Sequence, residues 1–290
     1  MRICYPATRQ RPCRVVLTKQ VVSGNLGDVS DLEGTVFNLD HQITHAAELL
    51  GRASCAVALT GAGISTPSGI PDFRSPDSGL WDQGDPFAVA SISAFQRNPQ
   101  QFFDWIRPPA RLIEQAHPNP AHHALARLES AGLLKSVITQ NIDGLHRRAG
   151  SGRVHEVHGH IREATCIRCH HVVPTDRLIA SFLDSGEIPH CSCGGVLKPN
   201  VILYGEQLPP EAVTGARQDV DDCDLMVVAG SSLEVVPVAD LPSVAVDRGC
   251  RLIIVNYEPT YLDEKADVII HHDVAEVLPR IADMAINRWR

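Results

Sequence analysis

Four groups of residues in this 290-residue chain have types and spacings that could do chemistry. The first is a set of thiols, Cys166-Ile-Arg-Cys169, followed after 21 residues by Cys191-Ser-Cys193. Two Cys pairs at such a separation suit tetrahedral Zn²⁺, and four thiolates would close its coordination sphere, so the metal is read as structural. The second pair is the tight C-x-C, and His190, three residues before Cys193, is an alternative ligand. The second group is the run His155, His158 and His160 within VHEVHGH. Such a run can be a metal pair, a general base or a set of satisfied polar residues. Gly159 argues against a helix long enough to put His155 and His158 on one metal-binding face, and one imidazole near neutral pH is the usual general base.

The third group is Gly61-Ala62-Gly63, directly after the apolar run Cys55–Thr60. Glycines there let the backbone approach a diphosphate, and the N–H groups of a starting helix face the anion. Thr66 stands where a dinucleotide fingerprint wants glycine or alanine, so the bare pattern also reads as a tight structural turn. Beyond it, Gly69-Ile-Pro-Asp-Phe73-Arg74 sets an aromatic ring and a guanidinium past the turn, which a hydride-transfer domain does not need. The fourth group is made of polar clusters closing further apolar runs: Gln140, Asn141 and Asp143 after Ser136–Thr139, Gly230, Ser231 and Ser232 after Leu225–Ala229, and Asn256 and Glu258 after Arg251–Val255. By spacing alone, Asn141 and Asp143 could instead hold local turns. Polar clusters after four of five runs suggest one crevice for an extended, anionic, hydroxyl-rich ligand, a description that NAD fits.

The elements that must position these groups are legible in part. Cys55–Thr60, Ser136–Thr139, Leu225–Gly230, Arg251–Val255 and Ala266–Ile270 are continuous apolar runs, as strands buried on both faces are. Residues 41–53 and 120–134 have helical apolar spacing. The alternation predicts an α/β fold, a Rossmann-like doubly wound parallel sheet with a small inserted zinc-binding module. The expected limits are an N-terminal extension over 1–35, the NAD-binding domain over 36–160 and 197–290, and the module over 161–196. The extension holds Arg2, Arg9, Arg11, Arg14 and Lys19 with no acid before Asp28, which reads as a disordered tail or an organelle-targeting segment.

Composition sets outer bounds. With 44% hydrophobic residues, 21% charged residues and a net charge of −8, the chain reads as globular and not as a nucleic-acid binder working through bulk charge. No apolar run approaches the roughly 18 residues that span a bilayer. The nine cysteines are an odd number without a secretory leader, so a reducing, cytoplasmic setting is expected. Outside the clustered four, Cys4, Cys13, Cys55, Cys223 and Cys250 are scattered, several in apolar contexts where a thiol acts as a small hydrophobe.

Taken together, GAGIS with GIPDFR, TQNIDGLH, the Glu156-x-His158-Gly159 segment, the Cys pairs, KPNVILYGEQLP, GSS and the Asn256-x-Glu258 segment resemble the sirtuin family of NAD-dependent protein lysine deacylases, over about 39–280. The resemblance implies a Rossmann-like domain and a zinc module with NAD and peptide between them. It implies that His158 is the general base and that Gly61, Ala62, Gly63, Phe73 and Arg74 form the cofactor loop. Gln140, Asn141 and Asp143 would line the nicotinamide and ribose pocket, and Gly230, Ser231, Ser232, Asn256 and Glu258 the adenosine side. Gly205 and Glu206, with Glu234 and Val235, would be the two edges between which an acyl-lysine peptide lies as an added strand. The implied reaction consumes NAD, releasing nicotinamide and O-acyl-ADP-ribose. Members that take acidic acyl groups carry a Tyr-x-x-Arg pair; here Ile106 and Pro109 stand at those positions, which implies a neutral acyl group. Protein mono-ADP-ribosyl transfer is the alternative use of the same cleaved NAD.

Overall fold

The structure is a computed structural model that describes residues 29–72 and 86–289. Phe73, Arg74 and residues 1–28 lie outside the described residues. The chain runs through α1 (Val29–Arg52), β1 (Ala56–Thr60), α2 (Pro86–Val89), α3 (Ile92–Arg97), α4 (Pro99–Gln115), α5 (Pro120–Ser130), β2 (Ser136–Thr139), α6 (Leu145–Arg148), β3 (Val154–Glu156), β4 (Gly159–Cys166) and β5 (Val172–Pro174). It continues through α7 (Asp176–Ser185), β6 (Leu197–Val201), α8 (Pro210–Asp222), β7 (Leu225–Ala229), α9 (Leu241–Asp247), β8 (Arg251–Val255), β9 (Val268–Ile270) and α10 (Val274–Trp289).

Each continuous apolar run is a strand of one parallel sheet, ordered β3-β2-β1-β7-β8-β9 among the described residues. The runs are continuous because both faces are covered. Ala56, Ala58, Val137, Val227 and Ile253 pack with α1, α5 and α10 on one side. Val57, Leu59, Ile138, Met226 and Ile254 pack with α8 and α9 on the other. The chain winds outward from β1 to β3 in one direction and from β7 to β9 in the other. The winding therefore reverses between β1 and β7, and a crevice opens beyond the carboxyl ends of those two strands.

A second, antiparallel sheet in the order β5-β4-β6 carries the cysteines. Its apolar support comes partly from elements distant in sequence. Phe95, Phe102 and Phe103 of α3 and α4 share a core with Phe182, Leu183, Val201 and Leu203, and the Phe103 and Phe182 rings meet edge-on at 5.2 Å. Arg107 and Arg111 of α4 donate to the Leu183 carbonyl, and Arg107 also to that of Asp184, so both cations cap the end of α7.

Two expectations need correction, and one strand was not foreseen. The first helix begins at Val29, well before residue 41. The string VHEVHGH contains a strand, β3, too short and polar at an edge of the sheet to show an apolar run. The glycine turn after β1 leads not into a long helix but into two single-turn 3₁₀ segments, Ala62–Ile64 and Thr66–Ser68, interrupted by Pro67 and closed by Gly69 at φ +85°. No helix among the described residues is long and apolar enough to cross a membrane.

Leu125 is fully buried between α5 and the sheet. Leu125→Ala is expected to cost about 2–5 kcal/mol in denaturant unfolding, with the m-value unchanged.

Candidate active site

The floor of the crevice is a backbone-to-backbone contact. The Gly63 N–H donates to the Gly230 carbonyl at 2.9 Å, joining the turn after β1 to the turn after β7. A Cβ on Gly61 would lie 2.8 Å from the Gly230 oxygen, and one on Gly63 would lie 2.9 Å from the Gly230 Cα. Gly230 itself has φ +61°, and a Cβ there would collide with the Ile64 nitrogen. Only glycine allows this approach. Ala62 and Gly63 remain half-buried and Ser232 exposed, so the joined turns present backbone and small polar groups to the crevice.

Behind the floor lies a buried polar network. Ser65 donates to Asp143 Oδ2 at 2.7 Å, and Asn141 Nδ2 donates to the Gly61 carbonyl at 3.0 Å and to Ser65 Oγ at 3.1 Å. Leu145 N–H donates to Asp143 Oδ1 at 2.8 Å. Asn119 caps α5 and ties it to the turn, its Nδ2 donating to the Ile64 carbonyl at 2.8 Å. The His122 and His146 rings are 4.8 Å apart, with His122 Nε2 3.5 Å from Ser65 Oγ and His146 Nε2 2.9 Å from Thr60 Oγ1. Burial pushes His122 down to about 4 and His146 well below the ordinary imidazole range, so both are neutral. Burial raises Asp143, though its donors oppose this.

Gln140 joins this floor to His158. Its Oε1 accepts from Ser231 Oγ at 3.2 Å, while its buried Nε2 finds no acceptor among the described residues. Its backbone carbonyl lies 3.1 Å from His158 Nδ1. That contact puts the ring proton on Nδ1 and leaves the Nε2 lone pair as the basic site. His158 occupies the two-residue turn that leads from β3 into β4, held by the Ile202 N–H on its carbonyl at 2.9 Å. Gly159 follows at φ +79°, where a Cβ would collide with the Asn200 carbonyl. Burial lowers the His158 pKa, and the Gln140 carbonyl partly opposes it.

The other imidazoles of the run have different work. His155 Nε2 is 2.7 Å from Asp219, a buried carboxylate that also takes Arg153. Glu156 is forked by Arg162 at 2.5 Å on each oxygen. Of the residues expected on the adenosine side, Asn256 Nδ2 donates to the Glu258 carbonyl at 2.7 Å, which shapes the turn after β8. Of the residues expected at the peptide edges, Glu206 accepts from the Leu203 N–H at 2.8 Å and pairs with Lys198 at 3.0 Å. Gly205 and Glu234 are exposed and Val235 is half-buried. A small cavity of about 240 Å³ is lined by Val157, next to His158 in the chain, with Leu208, Pro237 and Val238.

A larger apolar cleft of about 660 Å³, counted to its open mouth, is lined by Phe102, Ile106, Ile142, Ile161, Leu178 and Val201 among others. Two of its lining residues lie close to the crevice in chain and sheet: Ile142 follows Asn141, and Val201 pairs with Gly159. Pro109 is buried within α4.

The four thiols of Cys166, Cys169, Cys191 and Cys193 lie within 4.8 Å of one another. Cys166 and Cys193 are 3.5 Å apart and Cys169 and Cys191 3.7 Å, against about 3.8 Å expected between ligands of a tetrahedral Zn–S site. Backbone N–H groups of Cys169 and Arg168 hold the Cys166 thiol below its ordinary range, as a thiolate ligand requires. The donor set fits Zn²⁺. His190 is excluded as a substitute: it is outside the cluster, and its Nδ1 is 2.7 Å from the Ile188 carbonyl.

With this geometry in view, the sequence model of the Sir2 family matches residues 61–237. The chain belongs to the Sir2, or sirtuin, family. It is 47% identical over 248 residues to NAD-dependent protein deacylase 2 of Archaeoglobus fulgidus, covering 84% of this chain and 96% of that one. A solved Sir2 enzyme superposes with a TM-score of 0.80 at 46% identity, covering 87% of this chain and all of that one. Sir2Af2, solved with a myristoylated histone peptide, superposes with a TM-score of 0.73 at 41% identity, covering 86% and 98%. Two features of this crevice fit the NAD that sirtuins use, the glycine floor and the Gln140 amide nitrogen, which has no acceptor among the described residues. The sequence reading missed Ser65, Asn119, His122 and His146 as a unit. The Asn119-Pro-Ala-His122 capping box was the available signal.

Gly230→Ala is expected to weaken ADP-ribose binding by about 100-fold or more in calorimetry, through displacement of the Gly61–Ile64 turn. Chelation of zinc, or Cys166→Ser, is expected to unfold the small sheet and abolish turnover, read as a lost thermal transition that added Zn²⁺ restores in the chelated protein.

Proposed function

We propose that the protein is an NAD-dependent protein lysine deacylase that removes neutral acyl groups. NAD, when bound, supplies an anomeric carbon from which nicotinamide departs. The crevice floor would hold the diphosphate with backbone groups of Gly61–Gly63 and Gly230–Ser232. The Gln140 amide would find its missing acceptor in a ribose hydroxyl, and Asn141 and Asp143, fixed through Ser65, would keep the pocket wall in place. His158, with its proton on Nδ1, would accept one from a ribose hydroxyl through Nε2. The single observation that carries the reading is Gln140, whose carbonyl orients the base while its side chain leaves a donor for the sugar.

The apolar cleft supports a neutral and extended acyl group. Ile106 lines it, and the nearby cations Arg107 and Arg111 are spent on the end of α7, so among the cleft-lining residues no charged group stands ready for an acyl carboxylate. The name of the Archaeoglobus relative and the myristoylated peptide in Sir2Af2 support the same reading. We also propose a cytoplasmic protein that engages neither membrane nor nucleic acid, which the thiolate zinc set and the net charge of −8 support.

The test is a panel of acyl-lysine peptides incubated with NAD and read by mass. Free lysine with O-acyl-ADP-ribose is expected from acetyl and longer unbranched chains, with succinyl-lysine turned over at least about tenfold more slowly. His158→Ala is expected to lower kcat by about 100-fold or more while NAD binding persists. Because burial favours neutral His158, kcat/KM should hold as pH falls through about 6.5 and decline only below it. ADP-ribosylated peptide that keeps its acyl group would overturn deacylation, and a succinyl preference would overturn the neutral-chain reading.

A further inference from the structure

We propose that Cys223 and Cys250 are a hydroperoxide-oxidisable pair that closes into an intramolecular disulfide, stapling the β7–α9–β8 crossover. The inference stands apart from the deacylase reading. In the sequence the two thiols are separate small hydrophobes in apolar surroundings. The fold brings them together. Cys223 closes α8, and Cys250 immediately precedes β8. The pairing of Leu225 with Arg251 and the Arg251 N–H on the Asp224 carbonyl, at 3.0 Å, fix the two backbones side by side. Their sulfurs are 3.3 Å apart. A bonded pair stands at about 2.05 Å, so closure needs a movement of little more than about 1 Å. Neither thiol belongs to the zinc set.

The two sulfurs have unequal surroundings. Cys250 is buried at 7% exposure, whereas Cys223 is half-buried and reachable from solvent. The contact between the two sulfurs lowers the Cys223 pKa, while the same contact and burial raise that of Cys250. Cys223 is therefore the attacking sulfur and Cys250 the resolving one. The Cys223 thiolate attacks one peroxide oxygen, the O–O bond breaks, and hydroxide leaves, giving a sulfenic acid. The Cys250 sulfur then attacks the Cys223 sulfur, the S–S bond forms, the S–O bond breaks, and the departing hydroxide takes the Cys250 proton. Two thiols and one hydrogen peroxide give one disulfide and two waters.

The closed ring would contain β7, the Gly230–Ser232 turn and the peptide edge Glu234–Val235, while the bond lies at the amino ends of β7 and β8, opposite the crevice. The staple therefore constrains the unfolded chain without displacing the cofactor floor.

The experiment treats the full-length, zinc-loaded protein with one equivalent of hydrogen peroxide, quenches with an alkylating agent, and maps the digest by mass. Expected is a linked Cys223–Cys250 peptide, lighter than its two thiol parts by two hydrogens, with zinc retained. The oxidised protein should melt about 5 °C higher, a gain removed by reductant and missing in both Cys223→Ser and Cys250→Ser. Recovery of Cys223 and Cys250 both alkylated, linkage of either to Cys55, or loss of zinc before this bond forms would overturn the proposal.

Discussion

One contact organises this molecule: the backbone of Gly230 lies against that of Gly61–Ile64 with no side chain between them. It sits where the winding of the sheet reverses, so the loops after β1 and β7 diverge above it and leave a crevice. The 2.9 Å hydrogen bond from Gly63 to Gly230 closes the floor of that crevice. Any β-carbon on the three glycines would wedge the turns apart and open the place where a diphosphate must lie. The buried network of Ser65, Asn119, Asn141 and Asp143 then holds the first turn from behind, so the floor is supported on both sides.

Electrostatics follow from this enclosure. The imidazoles near the floor, His122, His146 and His158, all have their pKa pushed down by burial, but they differ in what they can do. His122 and His146 lie with tilted rings against one another, buried within the network behind the pocket. His158 stands in the turn joining the two sheets, with Nδ1 committed to the Gln140 carbonyl and Nε2 left basic. Gly159, which follows it, pairs with Val201 of the apolar cleft, so in the proposed reading the base and the acyl pocket are neighbours.

The strands covered on both faces were legible because each was a continuous apolar run, and the zinc set because its spacing is rarely met otherwise. β3 was not legible, since an edge strand of three residues containing His155 and Glu156 carries no apolar signal. The helix expected after Gly63 was replaced by 3₁₀ turns because Pro67 and Gly69 forbid a continuous helix, a local rule that the search for a phosphate-binding pattern passed over. Within the site, individual residues could be marked from the motifs, but Ser65, His122 and His146 come from three separate elements and meet only in the fold. The pairing of Cys223 with Cys250 was hidden for the same reason, because strand register brings them together and sequence spacing does not.

The central claim is geometric: the crevice floor delivers a ribose to the imidazole at position 158. A crystal structure of the protein with ADP-ribose and a deacylated peptide measures it directly. The account predicts the diphosphate over the Gly61–Gly63 and Gly230–Ser232 backbones, with His158 Nε2 about 2.6–3.2 Å from a hydroxyl of the nicotinamide-side ribose. A dinucleotide bound away from those turns, or a ribose that leaves His158 Nε2 beyond reach even through one water, would contradict it.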